Sequence, residues 1–241
     1  MTKEMFVQIS DFKLFAKLIG KNNGKPTIVM DAGYGDYSKT WDLIISAISM
    51  LTEVLIYDRA GLGKSEKSSN PRTSSVMVKE LNELLKRAKL KGPYILVGHS
   101  FGGLNMRLYA SEYPNEVCGL ILVDSTPEEY REKFLPTMSI EFQEAYNKQF
   151  VYESNYDEFI ESLKQVKESR RKLNVPLIVL SAGKKAHYPK ESQELWNEMQ
   201  KEFLRISSNS EFKVAENSAH YIQNDEPEVV IEVIKSLIEK F

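Results

Sequence analysis

The sequence predicts an α/β fold, a mostly parallel sheet of about eight strands flanked by helices. Three observations carry that expectation. Short apolar runs at residues 27–30, 54–57, 94–97, 120–123 and 177–180 show no polar alternation, as strands buried on both faces do. Amphipathic stretches separate these runs, so strand and helix alternate along the chain. Residues 5–18 alternate apolar with polar instead, which reads as an antiparallel hairpin at a sheet edge.

The elements follow in order. Residues 39–51 are helical in pattern, and in 75–89 the side chains Val78, Leu81, Leu85 and Ala88 share one helix face. Residues 101–112 and 193–204 are further helices, and 212–214 is the last strand candidate. Residues 227–241 close the chain, with Pro227 at a helix start and Val230, Ile234, Leu237 and Ile238 along one side. The rhythm breaks between Ser125 and Val175, where charged helical sequence carries Phe134, Phe142, Tyr146, Phe150, Tyr152, Tyr156 and Phe159. Ten acids mixed with eight bases there do not make a polyion-binding tail. A connection of that length needs structure of its own. We therefore expect an α/β core from 1–125 and 175–241, with a small helical cap inserted at 126–174.

A chain of 241 residues can bury a substantial core. Its 34 acids nearly cancel 32 bases, for a net charge of −2. That balance suggests neither nucleic acid nor an anionic membrane as a partner. The lone Cys118 excludes an intrachain disulfide framework and reads as a buried, inert thiol. No cluster of ligand residues suggests a metal, and no cofactor is expected. Residues 1–8 lack the apolar stretch of a signal peptide, and no run approaches the ~20 residues of a bilayer span. The expectation is a soluble, cytoplasmic protein acting on a small molecule. Its oligomeric state is not legible from the sequence.

Gly98-His99-Ser100-Phe101-Gly102 ends one apolar run and opens a helix. It is the G-x-S-x-G pattern in a strand–turn–helix setting, where glycines let backbone segments approach and a strained turn exposes the serine hydroxyl. The following helix aims its N-terminal amides at the same place. An alcohol is a weak nucleophile at neutral pH and needs a base. Of three histidines, His99 lies inside the turn with its side chain expected to point away, and His187 lies in a charged loop. His220 follows the last strand candidate and precedes the closing helix.

On these motifs the chain resembles the α/β-hydrolase family over nearly its whole length. Asp31-Ala32-Gly33-Tyr34-Gly35 stands where the family commonly has His-Gly-x-Gly, and Tyr57-Asp58-Arg59-Ala60-Gly61-Leu62-Gly63-Lys64-Ser65 is similar to its D-x-R/G-G-x-G-x-S turn. The resemblance implies Ser100 as nucleophile and His220 as general base. It also implies an oxyanion hole from the backbone amides of Tyr34 and Phe101. Many members place the third residue, an acid, after the seventh strand, but residues 181–187 contain no carboxylate. Asp124, ending the sixth strand, is the leading candidate, as in the haloalkane dehalogenases and some lipases. Glu191 and Glu128 are its alternatives. Tyr34, Phe134, Phe142 and Tyr146 are expected to line an apolar acyl or aryl pocket.

Carboxylester hydrolysis is the favoured reaction. Lactone, amide, thioester and C–C hydrolysis, perhydrolysis and acyl transfer use the same parts. A ligand receptor retaining a slow triad is a second class, which sustained turnover would separate from an enzyme. The Gly33-x-Gly35-x-x-Ser38 run fits a dinucleotide fingerprint poorly, because its third glycine is missing.

Overall fold

A computed structural model describes residues 2–241. Its eight strands are β1 (Thr2–Ile9), β2 (Phe12–Ile19), β3 (Ile28–Asp31), β4 (Val54–Tyr57), β5 (Tyr94–His99), β6 (Val117–Val123), β7 (Leu177–Ala182) and β8 (Ser210–Ala215). They form one sheet in the order β1-β2-β4-β3-β5-β6-β7-β8. β1 and β2 make the expected antiparallel hairpin, joined antiparallel to β4, and every other pair is parallel. β5, which carries the G-x-S-x-G turn, lies in the middle.

Successive strand residues face opposite sides of the sheet, and here both sides are covered. Val29, Leu55, Leu96, Leu120 and Leu122 meet α2 (Ser74–Arg87) and α3 (Phe101–Glu112) through Met77, Leu81, Leu104 and Leu108. Their neighbours Ile28, Met30, Ile56, Ile95, Val97 and Ile121 meet α1 (Asp42–Ile48) and the C-terminal helix (Pro227–Ile238) through Ile44, Ile48, Val230 and Ile234. That two-sided burial is why the central strands show no polar alternation. Each such side chain contributes about 1.5–3 kcal/mol relative to exposure.

Between β6 and β7 the chain makes its helical excursion. It holds a single wide turn (Tyr130–Phe134), α4 (Ile140–Lys148) and α5 (Tyr156–Glu168). Asn155 and Glu158 form a reciprocal capping box at the start of α5. Tyr130, Phe134, Leu135 and Met138 of the excursion pack with Trp196 and Met199 of α6 (Lys190–Glu202). The short α7 (Ile222–Asp225) precedes α8, the C-terminal helix.

The helix expected at 39–51 is a 3₁₀ turn at Ser38–Trp41 followed by α1. Cys118 lies within β6 and is half-buried, its thiol 3.4 Å from the Tyr94 carbonyl. Burial pushes that thiol up to about 11, which keeps it protonated and unreactive at neutral pH. Among the described residues no helix is long and apolar enough to cross a membrane.

Candidate active site

Ser100 sits between β5 and α3 with φ 53°, a left-handed conformation that a side chain rarely adopts. Its neighbours show why glycine is required here. A Cβ on Gly98 would lie 2.5 Å from the Gly103 Cα, and one on Gly102 would collide with the carbonyl oxygens of Asp31 and Ala32. The tight crossing of β5, α3 and the β3 loop thereby holds the Ser100 side chain at a cavity.

That cavity has a volume of about 350 Å³, and Ser100, Phe101, Tyr34 and His220 all line it. Phe142, Tyr146, Tyr130, Phe159, Tyr188 and Trp196 give it aromatic walls, with Thr126, Gln149, Lys185 and His187 as polar elements. Three of the four pocket residues expected from sequence, Tyr34, Phe142 and Tyr146, are on this wall. Phe134 is not. It is fully buried behind the wall, its ring against Tyr130, Tyr188 and Trp196. An aromatic in the excursion can equally pack the excursion onto α6, and spacing alone does not separate the two outcomes.

Asp124 follows β6, itself at positive φ (44°) and with no exposed surface. Its Oδ1 accepts from the Ala182 amide at 3.0 Å and from the Trp196 indole at 2.7 Å. Its Oδ2 lies 2.6 Å from His220 Nδ1 and 2.6 Å from Lys185 Nζ. Burial pushes the Asp124 carboxyl up, but the Lys185 ammonium and the His220 hydrogen bond outweigh it and hold it well below the usual carboxylate range. The alternatives lie elsewhere. Glu191 is exposed in the first turn of α6, and Glu128 is buried against Arg107 at 2.8 Å and Arg170 at 3.0 Å.

His220 reaches the cavity from the loop after β8, half-exposed, so Asp124 and His220 are brought together across the ends of β6 and β8. Ser100 and His220 share the cavity wall without a hydrogen bond between them among the described residues. His99 is fully buried beneath, and its Nε2–H donates to the His220 carbonyl at 2.9 Å. Burial, with the His220 ring beside it, pulls the His99 imidazole down to about 3, so it is neutral. His187 is exposed at the cavity mouth.

The loop after β3 is braced by a second network that sequence reasoning did not find. Arg59 donates to the carbonyls of Ala32 at 2.8 Å and Gly33 at 2.6 Å, and pairs with Asp31 and Glu153 at 2.5 Å each. Glu153, from the turn between α4 and α5, also accepts from the Gly35 amide at 3.0 Å. The Tyr34 hydroxyl donates to the Ser154 carbonyl at 2.8 Å and accepts from the Ser154 amide at 2.9 Å. Where the family has a histidine, this chain has Ala32, and the brace comes from Arg59 and the excursion. The Tyr34 amide makes no hydrogen bond among the described residues, and the Phe101 amide, first in α3, has no helical partner. Both are therefore free to serve a ligand oxygen.

Lys185 and Trp196 were also missed. The segment 181–187 holds no carboxylate but does hold the lysine that pairs with one. That cation was the available signal.

The sequence profile of the alpha/beta hydrolase fold family matches residues 26–223. Among curated proteins, the chain is 35% identical over 212 residues to the uncharacterized protein YqjL of Bacillus subtilis, covering 87% of this chain and 82% of that one. It is 25% identical over 211 residues to the bovine (Bos taurus) monoacylglycerol lipase ABHD6, of which it spans 51%. Among solved structures, alpha/beta hydrolase domain-containing protein 10 from mouse superimposes with a TM-score of 0.75 over 99% of both chains at 20% identity. The chain belongs to the α/β-hydrolase fold family.

Proposed function

We propose that this member of the family is a serine hydrolase acting through an acyl-enzyme on carboxylic esters with an apolar acyl or aryl group. The observation that carries this reading is the single cavity in which Ser100 and His220 meet, with His220 Nδ1 held 2.6 Å from a fully buried carboxylate. In this reading His220 takes the Ser100 proton as the hydroxyl attacks the ester carbonyl. Asp124 fixes the imidazole tautomer and stabilises the imidazolium. Contacts of this kind are often loose without substrate and tighten in the Michaelis complex. The amides of Tyr34 and Phe101 stabilise the tetrahedral oxyanion, each donor contributing about 2.7–4 kcal/mol.

The aromatic walls support an apolar acyl or aryl group, and the excursion at 126–174 serves as a cap over the core 1–125 and 175–241. The likeness to a monoacylglycerol lipase supports ester cleavage. The test is turnover of short p-nitrophenyl esters by the wild type and by Ser100→Ala. Sustained cycles in the wild type and none in the variant are expected. A single burst that stalls would instead assign the protein as a ligand receptor, and equal rates in both would remove Ser100 from the chemistry.

A further inference from the structure

Lys185 stands in the loop after β7, and its side chain is 5% exposed. Burying a lysine is costly unless its charge is used. Its Nζ lies 3.4 Å from the centre of the Trp196 ring and 4.9 Å from that of Tyr188, both faces that attract a cation. Among the described residues its one close anion is Asp124 Oδ2 at 2.6 Å, an ion-pair distance at an angle off that of a hydrogen bond. The same oxygen receives His220 Nδ1 at 2.6 Å. The other oxygen is occupied by the Trp196 indole and the Ala182 amide, so the carboxylate cannot rotate away from either partner.

We propose that Lys185 is a positioning residue of the hydrolytic site, which shares Asp124 Oδ2 with His220 and by its charge opposes protonation of that imidazole. The inference rests on the serine-hydrolase reading above. Without the lysine, a buried Asp124 carboxylate would face His220 alone and favour the imidazolium, so the base would be spent on solvent protons at a higher pH. With it, part of the carboxylate's field is already satisfied. His220 then stays neutral, and available as a base, further into the acid range.

The remaining titratable groups around the pair do not supply this charge. Burial raises Tyr130, Tyr188 and Tyr221 well above neutrality, so these phenols are uncharged. His99 beneath is neutral, and Asp36 is engaged by the Tyr221 hydroxyl at 2.9 Å. His187 is exposed at the mouth. Burial lowers the Lys185 ammonium to about 8, which leaves it charged at neutral pH.

Two like charges that share one carboxylate oxygen in a partly buried site interact strongly enough to move a titration by about one to two pH units. The experiment is the pH dependence of kcat/KM for p-nitrophenyl acetate in Lys185→Gln, Lys185→Met and Lys185→Arg, with the ¹⁵N imidazole titration of His220 recorded in the same proteins. In the Gln and Met variants the acid limb and the imidazole midpoint should move up by about one to two pH units. The Arg variant, which keeps the charge, should stay within about half a unit of wild type. A merely structural lysine would lower the rate at every pH and leave the midpoint in place.

An unmoved or lowered midpoint in a folded Gln or Met variant overturns the proposal. If those two fail to fold, an Arg variant whose midpoint rises by a full unit overturns it equally, and one that holds the wild-type midpoint supports it. Absence of turnover by the wild type at any pH would sink the serine-hydrolase reading instead. The imidazole titration would still read the Lys185 coupling.

Discussion

On one side of Ser100 the ends of β6, β7 and β8 gather Asp124, Lys185 and His220. On the other, the loops after β3 and β4 gather Asp31 and Arg59, with Glu153 reaching in from the helical excursion. Both sets are buried charge networks, the first with two basic side chains on the Asp124 carboxylate, the second with two carboxylates on the Arg59 guanidinium. They differ in what they face. Lys185 and His220 line the cavity, whereas Asp31, Arg59 and Glu153 do not. In the proposed mechanism the first network changes its charge as a substrate reacts. The second holds the carbonyls of Ala32 and Gly33 and the amide of Gly35, and its guanidinium lies 5.6 Å from the centre of the Phe101 ring behind the site. One arrangement is suited to moving a proton, the other to keeping a loop still.

Substitutions can break this contrast. The largest effect is expected on the proton-handling side. Asp124→Asn should lower kcat by about 10³–10⁴-fold with the fold intact, because the amide cannot hold the imidazole in the required tautomer. Glu191→Gln, exposed on α6, should leave kcat unchanged. Steady-state kinetics with thermal melting separates the two, and the reverse pattern would move the acid to α6.

On the bracing side, Glu153→Gln should lower kcat by about 10–100-fold through a displaced Tyr34 amide. It should also cost about 3 kcal/mol of stability, because Arg59 keeps its charge in a buried site with one partner lost. Denaturant unfolding and kinetics on the same variant check both halves. Unchanged kcat in a destabilised protein would make that network purely structural.

Acid should act on the fold through His99, which belongs to neither network. Its proton binds more readily to the unfolded chain, near the usual 6.5, than to the buried ring near 3. Stability is thus complete above about pH 6.5 and is lost as pH falls toward 3, by about 2 kcal/mol at pH 5. Unfolding free energies across that range test it, and a flat profile would contradict the buried, neutral ring. The smallest effect sharpens the pocket. Phe134→Leu should cost about 1 kcal/mol of stability with KM unchanged, whereas Phe142→Ala should raise KM.

How much of this was readable beforehand follows from the kind of signal each part leaves. The sheet was legible because strands covered on both faces cannot alternate, and the hairpin because an edge pair with one wet face must. Ser100 was legible because the close crossing at Gly98 and Gly102 admits only glycine. The roles of His220 and Asp124 came from the family resemblance, and what the structure adds is their separation of 2.6 Å. Lys185 and Glu153 were not found. A buried cation and a buried anion look like any surface charge in sequence, and only the fold brings Lys185 to Asp124 or Glu153 to Arg59. Phe134 failed for a related reason: a ring packed behind a wall and a ring forming it have the same spacing.

The central claim is that Ser100 is an activated nucleophile, and covalent labelling addresses it most directly. Wild-type protein treated with a fluorophosphonate and analysed by peptide mass spectrometry should carry one adduct, on Ser100. Ser100→Ala should carry none, and labelling of His220→Ala should be slower by orders of magnitude. An adduct on another residue, or labelling retained in Ser100→Ala, would contradict the account.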